Sequence, residues 1–211
     1  MSLLIGSSKV SKIFLGTSAV SKIYLGTDII YTSAPEELYS NAYPSKLSVS
    51  DGKAFYGDIS WSGNLLTRPS YANDSISIYS FEKVASDGYM LLKCGDGESS
   101  GGTLWYNSHV CTTKKITIPY GVTQLNVLAN RNNATGVYLR IGLLPDGAAN
   151  SMDTANGGVM QQFSPAVDGA VHSVSLASGM NGSSDYRIVI NIRGQRQTQY
   201  SRVMIHRVYF S

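Results

Sequence analysis

Aromatic side chains close to amides, carboxylates and guanidinium groups are the residues of this sequence that could do chemistry. Residues 55–61, 68–73 and 105–107 carry that combination. A sugar presents apolar C–H faces rimmed by hydroxyls, so a sugar site combines flat rings with polar groups. The candidate ligand contacts are Tyr56, Trp61, Tyr71, Trp105, Tyr106 and Tyr200. Core packing is the alternative for Trp61 and Trp105, because both lie in predicted strands.

No group of residues at catalytic spacing predicts an enzyme. Residues 97–101 have the letters of the G-x-S-x-G elbow, but that motif needs a helix after its serine, and here a turn and a strand follow. His109, His172 and His206 are far apart and lack a histidine or cysteine at metal-ligand spacing. We therefore predict no catalytic residue, no metal ligand and no cofactor. A glycan hydrolase stays an alternative, because the two carboxylates of a glycosidase converge only in the fold.

The composition favours short strands over helices. Charged residues make up 15% of the 211-residue chain, against about 25% in an average soluble domain. Serine, threonine and asparagine are abundant, together with 21 glycines and 14 tyrosines, a mixture typical of strands joined by tight turns. The net charge of +3 is small for a nucleic-acid-binding protein, and no apolar run approaches the roughly 20 residues of a membrane helix. We predict an all-β chain that neither binds nucleic acid nor inserts into a membrane.

A short repeat occupies residues 1–34. The octapeptide VSKIFLGT of residues 10–17 recurs as VSKIYLGT at residues 20–27. The alternation within each unit predicts three short strands with turns at the Gly-Thr pairs. Such a segment buries too little apolar surface to fold alone, so we expect copies in an oligomer or another protein to complete it, with packing onto the main domain as the alternative. The residues expected to anchor or oligomerise it are Val10, Ile13, Leu15, Val20, Ile23 and Leu25.

Residues 35–211 read as a succession of strands separated by turns rich in Gly, Asn, Asp and Pro, which is typical of a β-sandwich. In the strand 186–192, three isoleucines face one side, and Arg187 and Asn191 face the other. The sequence thus predicts an N-terminal β-repeat segment followed by a jelly-roll-like β-sandwich. The predicted strands are 46–49, 54–61, 75–81, 89–94, 103–106, 115–118, 124–129, 136–144, 171–177, 186–192 and 203–210.

Two further groups of residues have alternative interpretations. Cys94 and Cys111 are expected to be reduced and buried, with a single disulfide as the alternative. The arginines near the C-terminus form the only basic concentration, expected to be a solvated sheet face. Contact with an acidic glycan or a neighbouring subunit is the alternative. These arginines are Arg187, Arg193, Arg196, Arg202 and Arg207.

The repeat units at residues 12–17 and 22–27 resemble a repeat of tailed-bacteriophage structural proteins, in which a short repeat segment precedes a β-domain. Residues 36–211 resemble the carbohydrate-binding-module type of β-sandwich in strand rhythm and in the closing strand 203–210. The resemblance implies a virion protein made in the bacterial cytoplasm. It would be a trimeric fibre or adhesin that contacts other capsid or tail proteins and binds a host or environmental glycan. A capsid decoration protein or head fibre without an obligatory ligand is the alternative.

Overall fold

In the residues that it describes, the computed structural model shows β-strands and two short 3-10 turns, Pro44–Lys46 and Ser178–Met180. The predicted all-β class is confirmed. No helix in the described residues is long and apolar enough to cross a membrane. The structure describes residues 4–5, 8–9, 13–15, 18–20, 22–25, 28–32, 37–50, 53–63, 74–77, 79–81, 89–94, 105–119, 122–132, 136–145, 158–180, 185–195 and 201–211.

The N-terminal repeats form three two-stranded hairpins. Their strands are β1 (Leu4–Ile5), β2 (Ser8–Lys9), β3 (Ile13–Leu15), β4 (Ser18–Val20), β5 (Lys22–Leu25) and β6 (Asp28–Thr32). Within the described residues each strand pairs only with its hairpin partner. Leu15 pairs with Ser18, so only Gly16 and Thr17 separate the two strands. The prediction of one strand per unit is wrong, because a two-residue connection leaves room for a second strand.

The larger of the two main sheets has nine strands in the part of the chain that the structure describes. They are β8 (Leu47–Ser50), β9 (Lys53–Tyr56), β10 (Ile59–Ser62), β11 (Asp74–Ser77), β14 (Trp105–Thr112), β15 (Ile116–Thr117), β17 (Val137–Pro145), β18 (Val159–Phe163) and β20 (Asp185–Gln195). The strand order is β18-β17-β20-β14-β10-β9-β8, with β15 beside β20. The pairs are antiparallel except for β11, which pairs with β14 in parallel. Strand β18 was not predicted from the sequence.

The second main sheet has six strands among the described residues. They are β7 (Glu37–Ser40), β12 (Tyr79–Phe81), β13 (Met90–Cys94), β16 (Gln124–Arg131), β19 (Ala170–Ser175) and β21 (Ser201–Phe210). Their order is β12-β13-β21-β16-β19, and β7 pairs with β21. Consecutive strands β20 and β21 therefore belong to opposite sheets.

The hydrophobic core lies between these two sheets, which confirms the predicted β-sandwich. The nine-stranded sheet contributes alternate residues of β17 and β20, and the six-stranded sheet contributes alternate residues of β16 and β21. Fully buried members include Leu139, Ile141, Leu143, Ile188, Ile190, Ile192, Leu125, Val127, Val203, Ile205 and Phe210. Burying each such side chain stabilises the fold by roughly 1.5–3 kcal/mol.

A tight turn at Gly57, which has a φ of 57°, divides the predicted strand 54–61 into β9 and β10. Tyr56 therefore pairs with Ile59, and Ala54 pairs with Trp61. In one continuous strand Tyr56 and Trp61 would face opposite sides, because side chains alternate. With the turn between them, both side chains point into the core.

Strand β7 follows the repeats directly and connects the two sheets through side chains. The Tyr56 hydroxyl donates to Glu37 Oε2 at 3.0 Å, and Arg207 Nε donates to Glu37 Oε1 at 2.7 Å. Trp61 Nε1 donates to the carbonyl of Leu38 at 3.3 Å. Burial and the Glu37 carboxylate raise the pKa of Tyr56 to about 12. Since β7 was not predicted from the sequence, neither was this connection.

Candidate functional site

Each main sheet has an inner face against the core and an outer face. On the outer face of the six-stranded sheet, polar side chains bond to one another. Asn126 Nδ2 donates to Ser211 Oγ at 2.8 Å, and its Oδ1 accepts from Ser173 Oγ at 2.7 Å. His206 Nδ1 lies 3.0 Å from Asn41 Nδ2, which donates to it. The fold itself therefore satisfies these groups.

On the outer face of the nine-stranded sheet, Asn107, His109 and Asn191 form what we call the polar cluster. Their exposed fractions are 2%, 4% and 0%. Both polar atoms of Asn107, both ring nitrogens of His109 and Asn191 Oδ1 have no hydrogen-bond partner in the part of the chain that the structure describes. Asn191 Nδ2 donates to the carbonyls of Ser108 and Ile192, at 3.0 and 3.2 Å. A buried polar atom without a partner destabilises a fold by about 1–3 kcal/mol.

The central strands of the sheet bring the polar cluster together. Asn107 and His109 are two residues apart on β14 and so face the same side. In the antiparallel register His109 lies opposite Asn191 of β20, which places the two side chains next to each other. Burial lowers the pKa of His109 to about 4. The ring is therefore neutral at pH 7, with one nitrogen donating and the other accepting.

Polar residues continue from this cluster toward the edge of the sheet. Asn191 lies opposite Arg140 of β17, and Arg140 lies opposite Gln162 of the edge strand β18. Arg140 Nε donates to Gln162 Oε1 at 3.1 Å. Tyr138 and Arg193 lie opposite each other in the neighbouring row. Amide, guanidinium, phenol and imidazole groups thus extend across four adjacent strands.

An apolar patch adjoins the polar cluster on the same face. Cys111, Leu144 and Val189 are buried there, with Met160 packed against them. Gly142 allows Met160 to lie close, since a Cβ at Gly142 would stand 3.1 Å from that of Met160. Burial raises the pKa of Cys111 to about 11, so the thiol stays protonated at neutral pH. This side of the sheet therefore combines buried polar groups with a buried apolar patch.

The aromatic contacts predicted from the sequence are not on this face where the structure describes them. Three are buried in the core with exposed fractions of 4%, 0% and 3%, namely Tyr56, Trp61 and Tyr106. Their side chains belong to the core between the two sheets, on the opposite side from this face. Trp105 begins β14 opposite Gln195, but its side chain is outside the described part, as are Tyr71 and Tyr200.

The predicted basic concentration is divided between the two sheets. Arg187 and Arg193 belong to β20, whereas Arg202 and Arg207 belong to β21. Arg207 binds Glu37 and lies over the ring of Tyr209, 4.1 Å from its centroid. Arg196 is outside the described residues. The arginines therefore do not share one face, because their two strands lie in opposite sheets.

The two cysteines are free and buried, in agreement with the prediction of reduced thiols. Cys94 belongs to the core cluster, while Cys111 belongs to the apolar patch on the outer face. Among the described residues, no three His, Cys, Asp or Glu side chains form a group that could hold a metal ion.

The polar cluster was not predicted from the sequence, in which His109 has no histidine or cysteine at metal-ligand spacing and Asn107 lies in the aromatic segment 105–107. The available signal was the alternation of Asn107 and His109 with Tyr106 and Val110, which indicates a polar face opposite a core face. No local pattern shows that Asn191 joins them, since it comes from a strand far along the chain.

No protein family model and no curated protein matches this chain. Among solved structures, TmCBM61 in complex with β-1,4-galactotriose is 8% identical, with a TM-score of 0.36 over 58% of this chain and 69% of that one. The laminarinase from Rhodothermus marinus is 12% identical, with a TM-score of 0.42 over 72% and 90%. The enzymatically active domain of bacteriophage CBA120 tailspike protein 4 is 15% identical, with a TM-score of 0.35 over 80% and 22%. These similarities are weak.

Proposed function

We propose that this chain is a bacteriophage virion protein, a fibre or adhesin whose β-sandwich binds a glycan on the outer face of the nine-stranded sheet. The observation that carries the proposal is the contrast between the two outer faces. Asn126 on the six-stranded sheet is satisfied within the fold, whereas Asn107 and His109 on the other sheet are not, as far as the structure is described. Buried polar groups without internal partners are those that a ligand can satisfy.

The chemistry of the face suits a sugar. Amides and guanidinium groups hydrogen-bond to hydroxyls, and the buried apolar patch of Cys111, Leu144, Val189 and Met160 lies beside them. The proposed role is binding without cleavage, because amides and a neutral imidazole hold hydroxyls and do not supply the two carboxylates of a glycosidase. Assay of reducing ends released from each bound polysaccharide tests this point.

Residues 1–34 are proposed to anchor the protein to other virion proteins or to form a trimer. Isolated two-stranded hairpins are marginally stable in water, and the three hairpins pair only within themselves in the described residues. The virion assignment rests on the resemblance of the repeat units to those of tailed-phage structural proteins.

The first test compares two adjacent glutamines of β18. Gln162 lies opposite Arg140 on the proposed binding face, whereas Gln161 lies opposite the core residue Ile141. Both side chains are exposed, so neither change should disturb folding. We expect Gln162→Ala to weaken glycan binding three- to tenfold, roughly the contribution of one hydrogen bond, and Gln161→Ala to leave it unchanged. Isothermal titration against the polysaccharide that binds the wild-type chain measures both.

Equal effects of the two substitutions on glycan affinity would show that the glycan does not bind on the outer face of the nine-stranded sheet. Failure of the full chain to bind any glycan on a broad panel, combined with binding to intact capsids, would favour a decoration protein.

A further inference from the structure

We infer that the polar cluster of Asn107, His109 and Asn191 selects an uncharged, hydroxyl-bearing sugar group over an acidic one. This inference rests on the proposed glycan-binding function and names the class of glycan. It is carried by the kinds of polar atoms that the three side chains leave without a partner.

The unpartnered atoms are a balanced set of donors and acceptors. Asn107 offers a carbonyl oxygen and an amide nitrogen, and Asn191 offers only its Oδ1, because its Nδ2 already donates to two backbone carbonyls. The neutral ring of His109 adds one donor and one acceptor. The cluster therefore presents two amide oxygens and a bare ring nitrogen beside one amide NH₂ and one ring N–H.

This set fits hydroxyl groups better than ions. A hydroxyl donates one hydrogen bond and accepts others, so it can use both halves of the set. A carboxylate or sulfate only accepts, and the amide oxygens of Asn107 and Asn191 would repel it. A metal ion binds only acceptors, and the N–H groups of Asn107 and His109 would face it. Arg193 lies opposite Asn107 in the register, and its guanidinium donates to neutral hydroxyls as well as to anions.

The burial of the cluster makes the match selective. The three side chains are at most 4% exposed, so a group bound to them is held away from bulk water. A hydrogen bond is stronger in such surroundings, and a mismatched group is penalised more. A hydroxymethyl arm or a single ring hydroxyl has the required chemistry.

The same substitution at two buried asparagines tests whether the cluster is built for a ligand. Asn107→Leu removes unpartnered polar atoms, so we expect the Tm of the ligand-free chain to rise while glycan affinity falls at least tenfold. Asn126→Leu breaks the bonds to Ser211 and Ser173 on the other sheet, so we expect a lower Tm and unchanged affinity. A lower Tm for Asn107→Leu would show that the fold uses this amide, and would overturn the inference.

Should Asn107→Leu fail to fold, Asn107→Ala replaces it, with affinity as the readout and the same tenfold loss expected. Unchanged affinity in that variant would contradict the inference.

The ligand panel distinguishes this inference from the proposed function. The full chain is titrated with neutral polysaccharides (β-1,3-glucan, β-1,4-galactan and arabinoxylan) and with acidic ones (alginate, polygalacturonate and hyaluronate). We expect binding to at least one neutral polymer and at least tenfold weaker binding to every acidic one. Binding to acidic polymers alone would overturn the inference and leave the glycan-binding function intact, whereas binding to none would overturn both.

Discussion

At the scale of single residues, the satisfaction of buried polar atoms distinguishes the outer face of the six-stranded sheet from the proposed binding face. Asn126 and Asn107 are both almost fully buried on central strands, yet only Asn126 has its amide paired within the described fold. Because an unpaired amide opposes folding, its presence is easier to understand as a feature that binding requires. His109 belongs to the same polar cluster. Its burial makes the stability of the chain depend on pH, whether or not a ligand binds.

We expect the stability of the chain to fall as the pH drops from about 6.5 to 4. The pKa of His109 is about 4 in the folded protein and near 6.5 in the unfolded chain. The unfolded state therefore binds more protons in this window, and roughly 3 kcal/mol of stability present at pH 7 is lost by pH 4. Urea unfolding at pH 7 and pH 4.5 measures the loss.

The variant His109→Leu provides the control for this pH dependence. It should lose less stability on acidification than the wild-type chain. Part of the dependence should remain, because burial also lowers the pKa of His172. An identical pH dependence in the variant and the wild-type chain would show that His109 does not titrate as the structure indicates.

At the scale of elements, the sequence predicts well which side of a sheet a side chain occupies. It predicts poorly which residues of other strands lie beside that side chain. The alternation in β20 correctly predicts that Ile188, Ile190 and Ile192 face the core, because the two-residue period of a strand is local. It also suggests a solvated opposite face, whereas Asn191 is fully buried there. What lies beside Asn191 depends on which strands pair, and β14 and β20 are far apart in sequence. A missed turn at Gly57 has a similar effect, since it reverses the face assigned to Trp61.

The contact between β17 and β18 depends on a glycine. A Cβ at Gly142 would stand 2.6 Å from the carbonyl oxygen of Val159, and a backbone atom cannot move aside as a flexible side chain can. We expect Gly142→Ala to destabilise the chain by about 1–3 kcal/mol and, because β18 carries Gln162, to weaken glycan binding. Gly179→Ala is the control, since a Cβ there would meet no atom within 4 Å. Urea unfolding that gives equal stabilities for the two variants would contradict this packing.

At the scale of the whole molecule, the chain joins parts of very different stability. The sandwich buries a continuous core between two sheets, while the repeats form hairpins of two to five residues per strand. Strand β7 provides the connection, because Glu37 binds Tyr56 of one sheet and Arg207 of the other. A load applied to the repeats therefore reaches both sheets at the first strand of the sandwich.

We expect the full chain to be a trimer of about 68 kDa, which is three times the 22.7 kDa of one chain. We expect the double variant Ile13→Asp, Ile23→Asp to be a monomer. Hairpins this short need partners to persist, and charged residues at repeat positions would prevent close packing between copies. The Tm of the sandwich should not change, because the described hairpin strands pair only among themselves. Val171→Asp, at a half-exposed position of β19, is the control and should stay trimeric. Light scattering that finds the wild-type chain monomeric would instead point to a different protein as the partner of the repeats.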